Sequence, residues 1–81
     1  MTLEERIVSI IKNNMERKRD ISLDTRLIDD LEIDSFDKLM IINAMEDEFS
    51  ITIDEEDFKD VRKVSDIVNK LRAKYPEVER V

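Results

Sequence analysis

The spacing of the apolar residues constrains the fold of this 81-residue chain more than any other feature. From Leu3 to Met15 they recur three or four residues apart, which places them on one stripe of a helix. Thr2 and Glu5 have the spacing of a capping box at the start of this segment. A similar spacing, with Asp34 as the cap, recurs from Ser35 to Phe49. The pattern predicts two long helices over these two segments.

Weaker signals predict the remaining secondary structure. Asp54 can cap a brief helix over roughly Glu55–Asp60, and Ser65 can cap a last helix that Pro76 ends. Between the two long helices the apolar residues have no clear period. We therefore predict a long ordered loop there, with one short turn near Ser22–Thr25.

The length of the chain allows one hydrophobic core. We predict a single domain over residues 1–81: an all-α, small four-helix bundle of three main helices and one short helix, with a long first loop. The core is expected to span about residues 3–75, and the C-terminal tail, residues 76–81, is expected to fray. The basic run Arg17–Arg19 is interpreted as an ordinary polar connection rather than a nucleic-acid interface.

Histidine, cysteine, glycine and tryptophan are absent from the chain. Disulfides and metal sites built from cysteine or histidine are therefore excluded. A serine nucleophile has no imidazole to activate it, and the phosphate-binding loops that need glycine cannot form. The acidic segments that begin at Asp30 and Asp54 also fail the calcium-loop pattern, because Ser35 and Phe58 stand where a glycine and a ligand are required. We predict no metal site and no independent enzymatic activity.

Charge is distributed unevenly along the chain. The net charge is +1 over residues 1–27, −11 over residues 28–60 and +3 over residues 61–81. The acidic middle third should repel nucleic acid and anionic membranes and attract partners with basic surfaces. Glu4 and Glu5 stand where an export signal needs positive charge, and no apolar run is long enough to span a bilayer. We therefore predict a cytoplasmic protein without membrane insertion.

The second long helix is apolar on more than one side. Ile41, Met45 and Phe49 lie four residues apart and form its buried face. Exposed Phe and Met side chains on a charged protein suggest a docking surface, while core packing is the alternative for them. The second stripe, which is rotated away from the buried face, consists of Phe36, Met40, Asn43 and Asp47.

The start of this helix presents a hydroxyl group. Ser35 follows the cap Asp34 in the first turn, where the helical amides and the positive end of the helix dipole favour a phosphodiester. Because the chain offers no base for this hydroxyl, another enzyme would have to activate it. Ser35 would then be a substrate. The simpler alternative is that Ser35 is an ordinary helix-start residue.

Four short stretches give the chain a family resemblance over about Leu3 to Tyr75. In order along the chain they are Thr25-x-Leu27-x-x-Asp30-Leu31, Asp34-Ser35-Phe36-Asp37, Ala44–Phe49 and Ile51–Glu56. With these stretches in this order, at this length and charge, the chain resembles an acyl carrier protein. It departs from the usual pattern at Glu32, where carriers commonly have glycine, and at Phe36, which replaces leucine. With the departures at Met40 and Asn43, these changes indicate a specialised carrier.

The resemblance implies a chemistry for Ser35. Carriers of this family hold acyl groups as thioesters on a 4′-phosphopantetheine arm, which here would be attached to Ser35. Asp34 would help a phosphopantetheinyl transferase hold the magnesium used in the attachment. The implied partners are that transferase, acyl-transferring or synthase enzymes with basic surfaces, and the acyl chain. The implied function is to carry acyl groups for fatty acid, lipid or related acyl and polyketide biosynthesis, as a monomer and not as an enzyme.

Two further sets of residues follow from this interpretation. Partner enzymes are expected to contact the second stripe and the acids beside it: Phe36, Asp37, Met40, Asn43, Asp47 and Glu48. An acyl chain is expected to enter between the helices at a pocket of six apolar residues: Leu31, Ile41, Ile42, Met45, Phe58 and Ile67. The alternative function is an unmodified acidic helical adaptor that binds basic partners. A hydrolase ranks third, since no general base accompanies the serine.

Overall fold

The computed structural model describes residues 2–15 and 20–79 of the chain. These residues contain no strand, only an isolated antiparallel bridge between Arg26 and Lys63. The predicted all-α class is therefore confirmed. The predicted short helix is one turn of 3-10 helix. The elements in chain order are α1 (Leu3–Asn13), α2 (Ser35–Phe49), a first 3-10 helix (Glu55–Phe58), α3 (Val64–Lys74) and a second 3-10 helix (Pro76–Glu79).

The helix α1 begins where the sequence predicts. Thr2 Oγ1 accepts a hydrogen bond from the Glu5 amide at 3.2 Å, and Glu5 Oε1 accepts one from the Thr2 amide at 3.0 Å. The helix ends at Asn13, two residues before the predicted end at Met15. The side chain of the next residue closes it, since Asn14 Nδ2 donates to Ile10 O at 2.8 Å. The predicted polar connection Arg17–Arg19 lies outside the described residues.

The helix α2 ends in a residue with left-handed backbone. Ser50 has a φ of 55°, and its amide donates to Glu46 O, as does the Ile51 amide at 3.2 Å. Helices commonly close in this way, although glycine is the residue that adopts the conformation without strain. The Glu46 side chain extends into the following link, where its Oε2 accepts a hydrogen bond from the Ile53 amide at 2.8 Å. This end of α2 is therefore fastened through Glu46.

The predicted cap of the last helix is wrong. The helix α3 begins one residue before Ser65, whose amide donates to Leu23 O at 2.9 Å. Asp66 does the capping instead, since its Oδ2 accepts from the amides of Arg62 and Lys63 at 2.9 and 3.0 Å. These two main-chain hydrogen bonds hold the pKa of Asp66 below its ordinary value. A carboxylate at the third helical position thus satisfies the amides that precede the helix.

Two boundaries after α2 also differ from the prediction. The short helix ends at Phe58 rather than Asp60, because the turn closes with the Lys59 amide on Glu56 O at 3.4 Å. Residues 76–79, the first part of the tail predicted to fray, form the second 3-10 helix. Val78 is only 2% exposed there, so an apolar contact with the core orders the tail. Residues 80–81 lie outside the described part of the chain.

From residue 20 onward, the first loop is held by hydrogen bonds to the start of α3. The predicted turn Ser22–Thr25 is present, with the Ser22 amide donating to Thr25 Oγ1 at 2.8 Å. Beyond it, the Leu27 amide donates to Arg62 O at 2.8 Å and the Val64 amide donates to Thr25 O at 3.0 Å. These bonds hold the loop beside α3, so that its last residues lead directly into α2.

The buried side chains form one continuous cluster between the helices. The helix α1 packs against α2 and α3, and α3 packs against both 3-10 helices. Burial of each large aliphatic side chain stabilises the fold by about 1.5–3 kcal/mol. The most completely buried side chains are Phe58, Ile7, Ile11, Met45, Leu71, Val64 and Val68.

Candidate functional site

The first turn of α2 exposes a serine. Ser35 is the first residue of the helix and is exposed to solvent. Asp34 Oδ1 accepts a hydrogen bond from the Asp37 amide at 2.8 Å, and Asp37 Oδ2 accepts one from the Asp34 amide at 3.4 Å. Both carboxylates lie at the positive end of the helix dipole, where negative charge is favourable. The capping box therefore fixes the turn that presents Ser35.

Two amides of this turn are available to an acceptor. Within residues 2–15 and 20–79, neither the Ser35 amide nor the Phe36 amide donates a hydrogen bond, and no side chain bonds the Ser35 hydroxyl. Unpaired amides at a helix start attract anions. A hydroxyl without a base is a poor nucleophile, so this serine is suited to be acted on by another enzyme.

A cavity of about 360 Å³ opens beside Ser35, and we call it the apolar cavity. Its polar lining residues are Asp34, Ser35 and Lys38. Five of the six predicted pocket residues line it: Ile41, Ile42, Met45, Phe58 and Ile67. The other apolar lining residues were not predicted because they lie in segments without a regular period: Leu27, Ile28, Ile33 and Val61.

The sixth predicted pocket residue, Leu31, does not line the cavity. Leu31 is buried in the core at 5% exposure, whereas Ile33 lines the cavity in its place. The backbone turns between them, since Glu32 has a φ of 55° and the Ile33 amide donates to Leu27 O at 3.0 Å. A left-handed residue breaks the regular alternation of side chains, so Leu31 and Ile33 occupy different parts of the core. Glu32 stands where the resemblance noted above leads one to expect glycine, the residue that adopts this conformation without strain.

A second depression, about 350 Å³ in volume, is also lined by Ser35, and we call it the lysine groove. Lys38 and Lys59 are the only two bases between residues 28 and 60, and both line it. Lys38 Nζ donates to Phe58 O at 2.6 Å, and Lys59 Nζ pairs with Glu56 Oε2 at 2.9 Å. The full lining is Ser35, Lys38, Leu39, Ile42, Glu55, Glu56 and Lys59.

These two lysines were not among the predicted site residues. The available signal was their isolation in a segment whose net charge is −11. Their shared groove is a tertiary feature, because Lys38 belongs to α2 and Lys59 follows the first 3-10 helix.

The predicted partner-binding residues differ in what they contact. Phe36 is 60% exposed and Met40 is 44% exposed, which excludes core packing for both. Asp37 is half-buried and belongs to the capping box, and Glu48 accepts hydrogen bonds from Arg6 at 2.7 and 3.2 Å. Leu39, which was not predicted, is 44% exposed beside the stripe. The predicted residues that are exposed and not used in those contacts are Phe36, Met40, Asn43 and Asp47.

The first 3-10 helix contributes Phe58 to the lining of the apolar cavity and is hydrogen-bonded to the end of α3. Tyr75 Oη donates to Asp57 Oδ2 at 2.8 Å, and Lys74 Nζ donates to Asp57 Oδ1 at 3.1 Å. The hydrogen bond from Tyr75, followed by that from Lys74, holds the pKa of Asp57 below its ordinary value of 3.8. Phe58, which is 1% exposed, is thereby held against the cavity.

Residues 2–15 and 20–79 offer neither a metal centre nor a membrane-spanning helix. No group of three or more acidic side chains in this part of the chain is arranged to hold a metal ion. None of its helices has the length and apolar character needed to cross a bilayer.

Comparison with known families finds one match that covers most of the chain. The family described as "Phosphopantetheine attachment site" matches residues 5–71. This range includes the exposed serine at the start of α2, the apolar cavity and the lysine groove.

Individual relatives give the same result. The chain is 36% identical over 75 residues to an acyl carrier protein of Syntrophus aciditrophicus, covering 91% of this chain and 94% of that protein. It is 31% identical over 71 residues to an acyl carrier protein of Rickettsia bellii, covering 86% and 83%. A solved structure assigned as an acyl carrier protein of Mycobacterium tuberculosis superposes with a TM-score of 0.78 at 30% identity, covering 89% of this chain and 97% of that one.

Proposed function

Because the chain belongs to the acyl carrier protein family, we propose that Ser35 is the residue that carries its 4′-phosphopantetheine. This arm is the cofactor of the family, and the matching attachment-site domain spans residues 5–71. The observation that carries the proposal is the position of Ser35, which is exposed at the first residue of α2 and lines both the apolar cavity and the lysine groove.

The residues around Ser35 fit the arm. A phosphodiester on the Ser35 oxygen would lie beside the two unpaired amides of the first turn and within a groove that holds Lys38 and Lys59. A hydroxyl at an exposed helix start is open to the active site of a transferase. When bound, the arm supplies the thiol that the chain lacks, on which an acyl group is carried as a thioester.

Asp34 has two roles in this proposal. Its carboxylate caps α2 through the Asp37 amide at 2.8 Å, which fixes the turn that presents the serine. Asp34 is itself exposed and therefore remains reachable by the transferase, whose magnesium it would help to hold.

The apolar cavity is the proposed site for the acyl chain. Its lining by isoleucine, methionine and phenylalanine side chains suits a hydrocarbon, and each buried methylene would contribute about 0.8 kcal/mol. Ser35, on which the arm would begin, is one of the polar residues that line this cavity. The methyl NMR signals of Ile41, Ile42 and Met45 are expected to shift progressively with acyl length, and invariant signals would contradict this use of the cavity.

Partner enzymes are proposed to dock on the exposed stripe of α2. Phe36 and Met40 supply apolar contact, and Asp47 supplies negative charge toward basic partner surfaces. Affinity for such a partner should fall as salt concentration rises, because salt screens exposed charges. Binding that does not change with salt would instead indicate an apolar interface centred on Phe36 and Met40.

The biological setting is part of the proposal. We place the chain in fatty acid, lipid or related acyl and polyketide biosynthesis, as a carrier that other enzymes load and unload rather than as a catalyst. A cytoplasmic location and a monomeric state stay predictions from the sequence.

Loading by a phosphopantetheinyl transferase tests the proposal. The purified chain is incubated with the transferase, coenzyme A and magnesium, and its intact mass is then measured. We expect a gain of one arm in the natural sequence, no gain in Ser35→Ala and a full gain in Ser50→Ala, the control for an exposed serine elsewhere. An unmodified adaptor would show no gain in any of the three proteins and would bind its partners equally well after Ser35→Ala.

A further inference from the structure

Lys38 connects the start of α2 to a wall of the apolar cavity. Its Nζ donates to Phe58 O at 2.6 Å, across from the first helical turn to the end of the first 3-10 helix. Lys38 is half-buried and is the only base in α2. It lines both the apolar cavity and the lysine groove, as Ser35 does.

The partner of Lys38 is unusual for a lysine in an acidic segment. Within the described residues no carboxylate lies within the 4.0 Å ion-pair distance of its ammonium, and its bond goes to a neutral carbonyl. Lys59, across the same groove, is already paired with Glu56 at 2.9 Å. Lys38 is therefore the cation that can take a new anionic partner without breaking an ion pair.

Ser35 and Lys38 are three residues apart on one helix, so their side chains project from neighbouring positions. On the basis of the attachment proposed above, we propose that the Lys38 ammonium binds the phosphodiester on Ser35 and releases Phe58 O. The ammonium is charged in both bonds, but a phosphodiester oxygen carries negative charge and the Phe58 carbonyl does not, so the exchange adds the attraction between two opposite charges. Phe58 O keeps a second donor, the Val61 amide at 3.5 Å, so releasing Lys38 does not leave it unpaired.

The consequence is a link between modification and the cavity wall. The first 3-10 helix is held on one side by Lys38 and on the other by the bonds of Asp57 to Tyr75 and Lys74. Loss of the Lys38 bond removes the hydrogen bond to α2 and leaves the bonds of Asp54 and Asp57 to the end of α3, which makes the Phe58 side of the cavity easier to open. Lys38 is thus a positioning residue that couples attachment at Ser35 to access for the cargo.

NMR of the protein before and after loading tests this link. We expect the carbonyl carbon signal of Phe58 to move upfield on loading, because it loses a hydrogen bond, and the Nζ signal of Lys38 to shift as it gains a phosphate partner. In Lys38→Met the carbonyl signal should already lie upfield before loading and should not respond further. Lys59→Met is the matched control from the same groove, and its Phe58 signal should respond as in the natural sequence.

Intact mass recorded on the same samples separates this inference from the proposed function. A mass gain at Ser35 with an unchanged Phe58 carbonyl signal would overturn the role of Lys38 and leave the carrier function standing. No mass gain would overturn both. If Lys38→Met does not fold, the Lys38 Nζ signal of the natural protein decides the matter, since a signal that ignores loading contradicts the proposal.

Discussion

The helix α2 has an exposed serine at each end, and the two ends are built differently. Ser35 begins the helix at the positive end of its dipole, beside amides that no described residue accepts from. Ser50 follows the last helical residue at the negative end, and its amide is already bonded to Glu46 O. Residue type and exposure are alike at the two sites, so neither of them distinguishes a modification site from a helix end.

The surroundings of the two serines explain their proposed roles. The lysine groove and the apolar cavity both meet at Ser35. The groove offers the Lys38 ammonium to a phosphodiester, and the cavity offers apolar space to a chain. The Ser50 end is instead closed by Glu46, whose side chain bonds the Ile53 amide, and by Arg6, which lies 4.6 Å from the centre of the Phe49 ring. These contacts hold the Ser50 end of α2 in place, so the Ser35 end can be exposed to a partner while the helix keeps its position.

The largest expected effect is on the rate of loading at Ser35, and it comes from a change at the cap residue Asp34. Asp34→Asn keeps a side-chain oxygen that caps α2, so the stability of the fold should change little. Loss of the charge should slow loading by the transferase about 10- to 100-fold, the usual effect of losing a group that supports a metal ion. Loading rates are measured by intact mass over time. Glu77→Gln, which removes an exposed charge from the second 3-10 helix and not from α2, is the control and should load at the rate of the natural protein.

The next effect is on the stability of the fold, and it comes from a change at Glu46, near the Ser50 end of α2. Glu46→Ala removes the acceptor of the Ile53 amide, which is part-buried. The free energy of unfolding should fall by about 1–3 kcal/mol, because a buried donor is left unpaired, and Glu46→Gln should restore most of it. Denaturant unfolding measures both changes. Loading at Ser35 should be unaffected, and a loading defect in folded Glu46→Ala would show that the two ends of α2 are not independent.

A smaller effect is expected from the backbone of the Ser50 end. Ser50 has left-handed backbone with a φ of 55°, which strains every residue that has a Cβ atom. Ser50→Gly should raise the free energy of unfolding by about 0.5–1 kcal/mol, the strain relieved less the extra chain entropy of glycine. Ser50→Ala keeps the strain and should give no gain. A glycine variant less stable than the alanine variant would contradict this description.

The smallest expected effect is a pH dependence at the cavity wall. The bonds from Tyr75 and Lys74 lower the pKa of Asp57 below 3.8, so the carboxylate stabilises the folded state above that pH. This stabilisation is lost as pH falls through the lowered pKa, because the carboxylate is then protonated in both states. The melting temperature should therefore drop on acidification below about pH 4, and it should drop less in Asp57→Asn. Equal drops in the two proteins would contradict a role for Asp57.

Local features of the fold could be predicted from the sequence. The capping boxes at Thr2 and Asp34 and the three- and four-residue spacing of the apolar residues define where α1 and α2 begin, since each signal acts within one helical turn. The exposure of Phe36 and Met40 could be anticipated because they lie off the buried stripe of α2.

The remaining features depend on contacts between segments distant in sequence. Ser65 loses its capping role because its amide bonds the first loop, and Val78 is buried by a core that the tail meets only in the folded chain. Ile33 and not Leu31 lines the cavity because Glu32 has left-handed backbone. That conformation could not be predicted, since no glycine marks the position in the sequence. Lys38 could have been noticed as the only base of α2, but its bond to Phe58 O requires the folded structure.

The central claim is that the Ser35 oxygen is the acceptor of the arm, and peptide mapping tests it most directly. Trypsin cleaves after lysine and arginine, so it separates Ser35 in residues 27–38 from Ser50 in residues 39–59. After loading, tandem mass spectrometry should find all of the added mass on the first peptide, at Ser35. Added mass on the second peptide, or on any other hydroxyl, would contradict the account.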